Sequence, residues 1–283
     1  MKKYVIAGTG TRGLHMFGKP LVSKYFEFAR LAGVFDTNVK RANVFKKMTG
    51  GDFEVFEDFD HMLDAVKPDT VIVTTQDAFH DVYIVKALKK GCDVITEKPM
   101  TIDEVRCRAI LDAERESTGS VKVTFNYRYA PYMTRIKELL RSGVIGEVYS
   151  VDFAWYLDTI HGADYFRRWH RRKENSGGLF VHKATHHFDL VNWWLEQDPV
   201  QVFASGTRNF YGPKREQRGE RCLTCQFTDT CEFYVDLRAD ERLRRLYLEA
   251  EAEDGYYRDR CVFDPEIDIE DTMSAIVNYS GGA

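Results

Sequence analysis

Tyr4-Val5-Ile6-Ala7-Gly8-Thr9-Gly10-Thr11-Arg12-Gly13 decides the fold. The apolar run Tyr4 to Ala7 reads as a short buried strand, and the glycines behind it carry the G-x-G-x-x-G spacing that turns a strand into a helix. Gly8 allows the tight turn, Gly10 lets backbone approach a pyrophosphate, and Gly13 lets helix and strand pack closely. The helix that follows offers free N–H groups to phosphates, with Thr11 and Arg12 on its first turn. Such a spacing alone is only a flexible turn. Here the next strand, Phe28 to Phe35, is closed by Asp36, placed to accept hydrogen bonds from a ribose and to repel a 2′-phosphate. NAD is therefore expected rather than NADP, a preference that Lys40 and Arg41 nearby temper.

Outward from the turn the pattern alternates. Asp60 to Val66 reads as a helix and Thr70 to Thr74 as a β-branched strand; Phe79 to Lys90 reads as a helix stopped by Gly91. Val94 to Thr96 and Val121 to Phe125 read as further strands. Between them a helix begins behind Thr101-Ile102-Asp103-Glu104, read as a capping box with Thr101 as the cap. Alternation of this kind predicts an α/β fold, a Rossmann-type doubly wound parallel sheet with helices on both faces. The chain has 283 residues, 44% hydrophobic, with 40 basic and 44 acidic side chains giving a net charge of −4. That composition is globular and argues against nucleic acid or an anionic membrane as partner. No apolar run reaches the ~20 residues of a membrane span, and the first strand is too short for a secretory signal, so a cytoplasmic location is expected.

A second signature, Val94-Ile95-Thr96-Glu97-Lys98-Pro99, sits where the carboxyl ends of such a sheet open on a ligand crevice. With the glycine turn it resembles the Gfo/Idh/MocA family, the glucose-fructose oxidoreductase and inositol dehydrogenase group. Thr75-Gln76-Asp77-Ala78-Phe79-His80 is similar to that family's T-P-x-x-x-H segment, with Gln76 in place of proline. Phe125-Asn126-Tyr127-Arg128 is similar to its inter-domain segment, and Gly146-Glu147-Val148 to the start of its second sheet. The resemblance implies a nucleotide domain over 1–125 and, over 126–283, a substrate and oligomerisation domain of α+β type with a large open, mostly antiparallel sheet. It implies cofactor contacts from Thr75, Asp77, His80, Glu97 and Lys98. In Gly177 to Asp189, His186 falls on the family's catalytic histidine, whereas His182 stands where an aspartate is expected.

The activity implied is hydride transfer between NAD and a hydroxyl carbon of a sugar or polyol. Lys98, once buried, should have its ammonium disfavoured, and Lys98 and His186 should share the substrate hydroxyl while His182 orients His186 or meets a second hydroxyl. The three histidines 182, 186 and 187 read equally as structural residues of an amphipathic helix, or, at i and i+4 spacing, as a metal pair. Asn126, Arg128, Tyr165, Arg168, Trp169 and Lys183 are the expected substrate contacts, aromatic faces and polar donors of the kind that suit carbohydrates. The His182 departure keeps open an NAD-dependent glycoside hydrolase, acting by transient oxidation and elimination; a non-catalytic dinucleotide sensor is a third reading.

The insert over about 214–262 carries Cys222-x2-Cys225-x5-Cys231 and Cys261 around a charged helical stretch, Asp240 to Glu251. Those cysteines suit a structural tetrathiolate zinc or an iron–sulfur cluster, with disulfides or free thiols as alternatives. Asp268 to Tyr279 reads as a returning strand, followed by a turn, so the chain is expected to continue beyond Ala283. The exposed face of an open sheet predicts a homo-oligomer.

Overall fold

The computed structural model describes residues 1–283. Strands β1 (Lys2–Ala7), β2 (Ala29–Phe35), β3 (Glu54–Phe56), β4 (Thr70–Val73), β5 (Asp93–Thr96) and β6 (Val121–Val123) form one sheet in the order β3-β2-β1-β4-β5-β6. Every pairing is parallel, with Ile6 opposite both Val34 and Ile72. That order reverses beside β1, so the crevice at the carboxyl ends of β1 and β4 is the topological switch point. Side chains of β1 alternate between two cores. Val5 and Ala7 pack with Phe35, Met62 and Ile84 on one face; Ile6 packs with Leu14, Val34 and Phe45 on the other.

The glycine turn leads into a wide helical stretch, Gly13–Gly18, and then α1 (Lys19–Ser23), where Pro20 occupies the first turn. Proline is tolerated there because that N–H has no intrahelical partner. Helix α2 (Val39–Thr49) starts where the Asn38 side chain accepts the N–H of Arg41 at 2.9 Å, and α3 (Phe59–Val66) is capped in the same way by Asp58. Helices α4 (His80–Lys89) and α5 (Glu104–Arg115) complete the layers. The cap of α5 differs from the sequence reading. Asp103, not Thr101, accepts the N–H of Arg106 at 2.8 Å, and the Thr101 hydroxyl is buried without a partner. A carboxylate on the residue directly before the helix wins over a hydroxyl two residues further back.

Beyond β6 the chain forms α6 (Pro131–Arg141), α7 (Thr159–Arg167), α8 (Lys173–Ser176), α9 (Leu179–His182) and α10 (Thr185–Leu195). A separate antiparallel sheet pairs β7 (Pro199–Thr207) with β8 (Thr272–Tyr279). It has two strands, smaller than the large sheet expected, and Gly146 to Val148 joins no strand. No third strand lies beside this pair to complete a ladder for that segment. The core of this half is formed by Phe166, Leu179, Tyr211, Phe233, Phe263 and Ile267. The insert does not stand apart. Its helical turns α11 (Glu241–Leu243), Arg244–Leu248 and α12 (Glu251–Asp254) lie on the first sheet's side, with Leu246 fully buried among Ile6, Leu14 and Phe45. No helix is long and apolar enough to cross a membrane.

Candidate active site

The carboxyl ends of β1, β4 and β5 open on a cavity of about 820 Å³ whose far wall comes from the second half of the chain. At its nucleotide end the turn after β1 admits only glycine at two positions. A Cβ on Gly8, whose φ is +93°, would stand 2.6 Å from the Thr74 carbonyl carbon; one on Gly13 would stand 2.5 Å from the Gly8 oxygen. Gly8, Gly10, Thr11 and Arg12 line the cavity, and Gly13 packs behind them. Asp36 lines it too. One of its oxygens takes the Thr9 N–H and hydroxyl at 2.7 and 2.8 Å, and the other takes the Asn38 N–H at 2.9 Å and faces Arg41 at 3.4 Å. The same carboxylate thus fixes the turn and is presented beside the space a ribose would fill. The bare backbone of the turn, and a cavity of this size in front of it, fit NAD.

At the other end Lys98 is buried, and its ammonium donates to the carbonyl of His182 at 2.9 Å. Burial lowers its pKa to about 8, against the pull of Asp77 and Glu97. Glu97 faces Arg12 at 3.5 Å, and its carboxylate accepts the Thr124 hydroxyl at 3.1 Å. His182 Nδ1 lies 2.5 Å from Asp77 Oδ2. Burial pushes the imidazole well below its usual value and the carboxyl well above, so one proton is held between two atoms that both resist charge. The carboxylate missing at position 182 is supplied from across the cavity by Asp77. His186 lines the same space with Nδ1 buried and unpartnered, its pKa pushed down to about 3 by burial and then by Lys98. His80 stands between the carbonyls of Pro99 and Thr75 at 2.9 and 3.2 Å, and burial lowers it to about 4. That role is to brace the Lys98 loop. Thr75 lines the cavity beside it.

Of the expected substrate contacts, Tyr165, Arg168, Trp169 and Lys183 line the cavity. Trp169 stacks on His170 with centroids 3.6 Å apart, and Tyr165 meets His182 edge-on at 5.5 Å. Asn126 and Arg128 lie outside the lining. Asn126 is exposed, and Arg128 forms a two-pronged bond with Asp189 that ties the inter-domain segment to α10. A guanidinium so engaged braces the joint between the halves. His170, which closes the aromatic stretch begun at Tyr165, also lines the cavity, as do Tyr247, Tyr256 and Arg258, which carried no signal in the sequence. Tyr247, Tyr256 and Arg258 come from the insert, whose cysteine motif does not point to them.

The four cysteines of the insert line one small cavity, walled also by Phe233, Val262 and Phe263. All are free thiols, and no group of three or more His, Cys, Asp or Glu side chains is arranged to hold a metal ion. The expected zinc or iron–sulfur centre at Cys222, Cys225, Cys231 and Cys261 finds no support in this arrangement, although the four thiols line the same cavity. Burial raises the pKa of Cys222 and Cys261, which favours neutral thiols packed as small apolar groups. The insert is held instead by apolar packing and by Arg221, which bonds to both Glu251 and Asp259. Nor are His182 and His186 part of such a ligand group.

A nucleotide-type turn and proton-handling side chains that open on one cavity belong together in an oxidoreductase that takes its redox chemistry from a bound dinucleotide. Two family models cover nearly the whole chain: "Oxidoreductase family, NAD-binding Rossmann fold" over residues 2–125 and "Oxidoreductase family, C-terminal alpha/beta domain" over residues 137–282. The chain belongs to the Gfo/Idh/MocA family of NAD-binding oxidoreductases. It is 45% identical, over its full length and 70% of the relative's, to the Bacillus subtilis protein YteT, whose name describes it only as an oxidoreductase. It is 27% identical to the glucose-6-phosphate 3-dehydrogenase of Bacillus subtilis, over 84% of this chain and 72% of that one. The inositol 2-dehydrogenase of Rhizobium meliloti is 29% identical over 48% of this chain, a match that spans 39% of its own length. The crystal structure of myo-inositol 2-dehydrogenase from Lactobacillus plantarum superposes with a TM-score of 0.68 at 20% identity, over 99% of this chain and 67% of that one.

Proposed function

We propose that this chain transfers a hydride between NAD and a secondary hydroxyl carbon of a sugar or polyol. Residues 1–125 would hold the nucleotide and residues 126–283 the substrate. The observation that carries the reading is the convergence of Lys98, from the first sheet, with the Asp77–His182 pair and His186 on the cavity that begins at the glycine turn.

NAD, when bound, supplies the acceptor for the carbon-bound hydrogen and its two electrons. The protein's part is the other proton. Lys98, with its pKa near 8, is close enough to neutral to accept the hydroxyl proton and still charged enough to hold the alcohol oxygen beforehand. His186, kept neutral by burial, donates or accepts one hydrogen bond at that oxygen without adding charge. Asp77 fixes the His182 ring, and the His182 carbonyl anchors the lysine. Trp169 and Tyr165 offer ring faces to sugar C–H groups.

One observation favours a second outcome. The carboxylate-backed His182 is one more proton carrier than an oxidation needs, and a transient oxidation followed by elimination would use it, giving net glycoside cleavage. A panel of sugars, polyols and glycosides incubated with the protein and NAD separates these outcomes. NADH accumulating in proportion to ketone product supports dehydrogenation; sugar release without net NADH supports cleavage. No turnover of any panel member, with NADH bound, would leave only a binding protein.

A further inference from the structure

The insert reaches the glycine turn itself. Its docking on the nucleotide half is specific: Arg41 Nε donates to the Leu246 carbonyl at 3.1 Å, Asn38 Nδ2 to the Ala250 carbonyl at 2.8 Å, and Arg41 pairs with Asp254 at 2.8 Å. Those bonds hold Tyr247 over the turn. Its hydroxyl accepts the Thr11 N–H at 2.8 Å and donates to Thr11 Oγ1 at 3.0 Å, standing 3.2 Å from where a Gly10 Cβ would be. The Arg258 guanidinium lies 4.4 Å from the centre of the Tyr247 ring, and its Nη1 is buried with no hydrogen-bond partner.

Arg168 adds a second unmatched cation. Its neighbours Arg167, Arg171 and Arg172 each face a carboxylate, on Asp164, Asp264 and Asp268, whereas Arg168 bonds only to the phenol of Tyr256, at 3.3 Å. Burial pushes the Tyr247 phenol up, yet Arg258 and Arg168 outweigh it and hold the phenol below its usual value. Arg258, Arg168 and Arg12 thus bring positive charge to the cavity in front of Gly10, which Asp36 and Asp254 also line. Arg168 and Arg258 are half-buried, and the Arg258 Nη1, buried without a partner, is a donor that a ligand carrying negative charge would satisfy.

We propose that the insert, joined by Arg168 at the end of α7, supplies the second wall of an anion site at the glycine turn, in which Tyr247, Arg258 and Arg168 meet the diphosphate of the dinucleotide. The Thr11 N–H and the Tyr247 hydroxyl, now bonded to each other, are the donors freed for phosphate oxygens. The assignment rests on the cavity being the dinucleotide site, and it makes a cofactor grip out of a segment that the glycine motif does not include.

The test measures equilibrium affinity of the full-length protein for NADH, ADP-ribose and adenosine, by calorimetry or nicotinamide fluorescence, in the wild type and in Arg258→Gln, Arg258→Lys and Tyr247→Phe. Loss of a charge-assisted bond predicts NADH and ADP-ribose Kd values raised about 10- to 100-fold in Arg258→Gln. Tyr247→Phe should show a smaller rise, Arg258→Lys partial recovery, and adenosine should bind equally to all. Folded variants with unchanged NADH affinity overturn the proposal. So does a rise confined to the KM of an acidic or phosphorylated sugar, which would give the site to substrate. A wild type that binds neither NADH nor ADP-ribose overturns the dinucleotide reading beneath it. If Arg258→Gln fails to fold, Arg258→Lys and Tyr247→Phe carry the same comparison.

Discussion

The cavity has two walls made in different ways. The first, around Gly8 to Gly13, is dictated locally: two positions where a Cβ would collide with backbone, a strand before and a helix after. The second, around Tyr247 and Arg258, exists only because Leu246 is buried in a core more than 200 residues away in sequence and Arg41 holds its carbonyl. Backbone sterics made the one legible from a few residues. Long-range docking made the other invisible until the chain was folded. Both nonetheless present donors and positive charge to the same space, so a site with a recognisable motif can owe half its chemistry to a segment that has none.

The sharpest way to break this comparison lies between the walls, at Lys98. Lys98→Met keeps an unbranched side chain and removes the amine, so turnover should fall by about 10³-fold while NADH affinity stays within a few-fold. In the wild type, kcat/KM should rise as pH increases through about 8, because the neutral amine is the form that takes the proton. Stopped-flow absorbance of the nicotinamide measures both. Undiminished turnover in the variant would remove Lys98 from the chemistry.

A second test strikes the glycine wall alone. Gly13→Val would put side-chain atoms against the Gly8 oxygen and against Thr74 Oγ1, which donates to that oxygen at 2.6 Å. The turn must shift, which costs on the order of 1–3 kcal/mol in stability and should weaken NADH by about 100-fold. Thermal melting and calorimetry separate the two effects. Affinity retained at the wild-type level would mean that the insert's wall binds the nucleotide unaided.

The same division runs through what the sequence revealed. Strands β1, β2, β4, β5 and β6 were legible because buried parallel strands are short apolar runs bounded by Gly, Asp or Pro. Helix α2 was not, since its fully buried residues are Arg41, Ala42 and Phe45 and its apolar positions alternate with Lys40, Asn43, Lys46 and Lys47. Strand β3 has only three residues and gives no period to read. Lys98 and His186 reached the cavity from stretches that resembled a family, Tyr165 and Trp169 from an aromatic stretch read as suited to a sugar. Arg128 carried the same resemblance yet turned to Asp189, because a fork of donors takes the nearest buried carboxylate. Asp77 was read as a cofactor contact, and its bond to His182 joins residues 105 positions apart. No local pattern reports a pairing of that kind.

That pairing offers a test of intermediate size. Asp77→Asn preserves shape but removes a carboxylate that orients His182 and raises the Lys98 pKa. The expected loss in kcat is about 10- to 100-fold, the range of a misaligned proton-transfer group. Its sign on the pH profile follows from charge: without the carboxylate the ammonium is less favoured, so the rising limb moves below the wild-type value of about 8. A limb that stays in place would show that Asp77 already carries a proton at that pH.

The smallest effect is expected at the cysteines of the insert. Cys225 and Cys231 sit with Phe233, Val262 and Phe263 around a cavity of about 20 Å³. As packed thiols they contribute through van der Waals contact, so the double variant Cys225→Ala, Cys231→Ala should lose no more than about 1–2 kcal/mol, a few degrees in Tm. NADH affinity should not change, because Tyr247 is held by Arg41 and Leu246 and not by the thiol cluster. A bound ion would behave otherwise. Thiolate ligands contribute folding energy outright, and their loss would release metal and loosen the insert as a whole. A large drop in Tm together with weakened NADH binding would therefore mean that the insert's wall depends on its cysteines, and that the two walls differ less than their structures suggest.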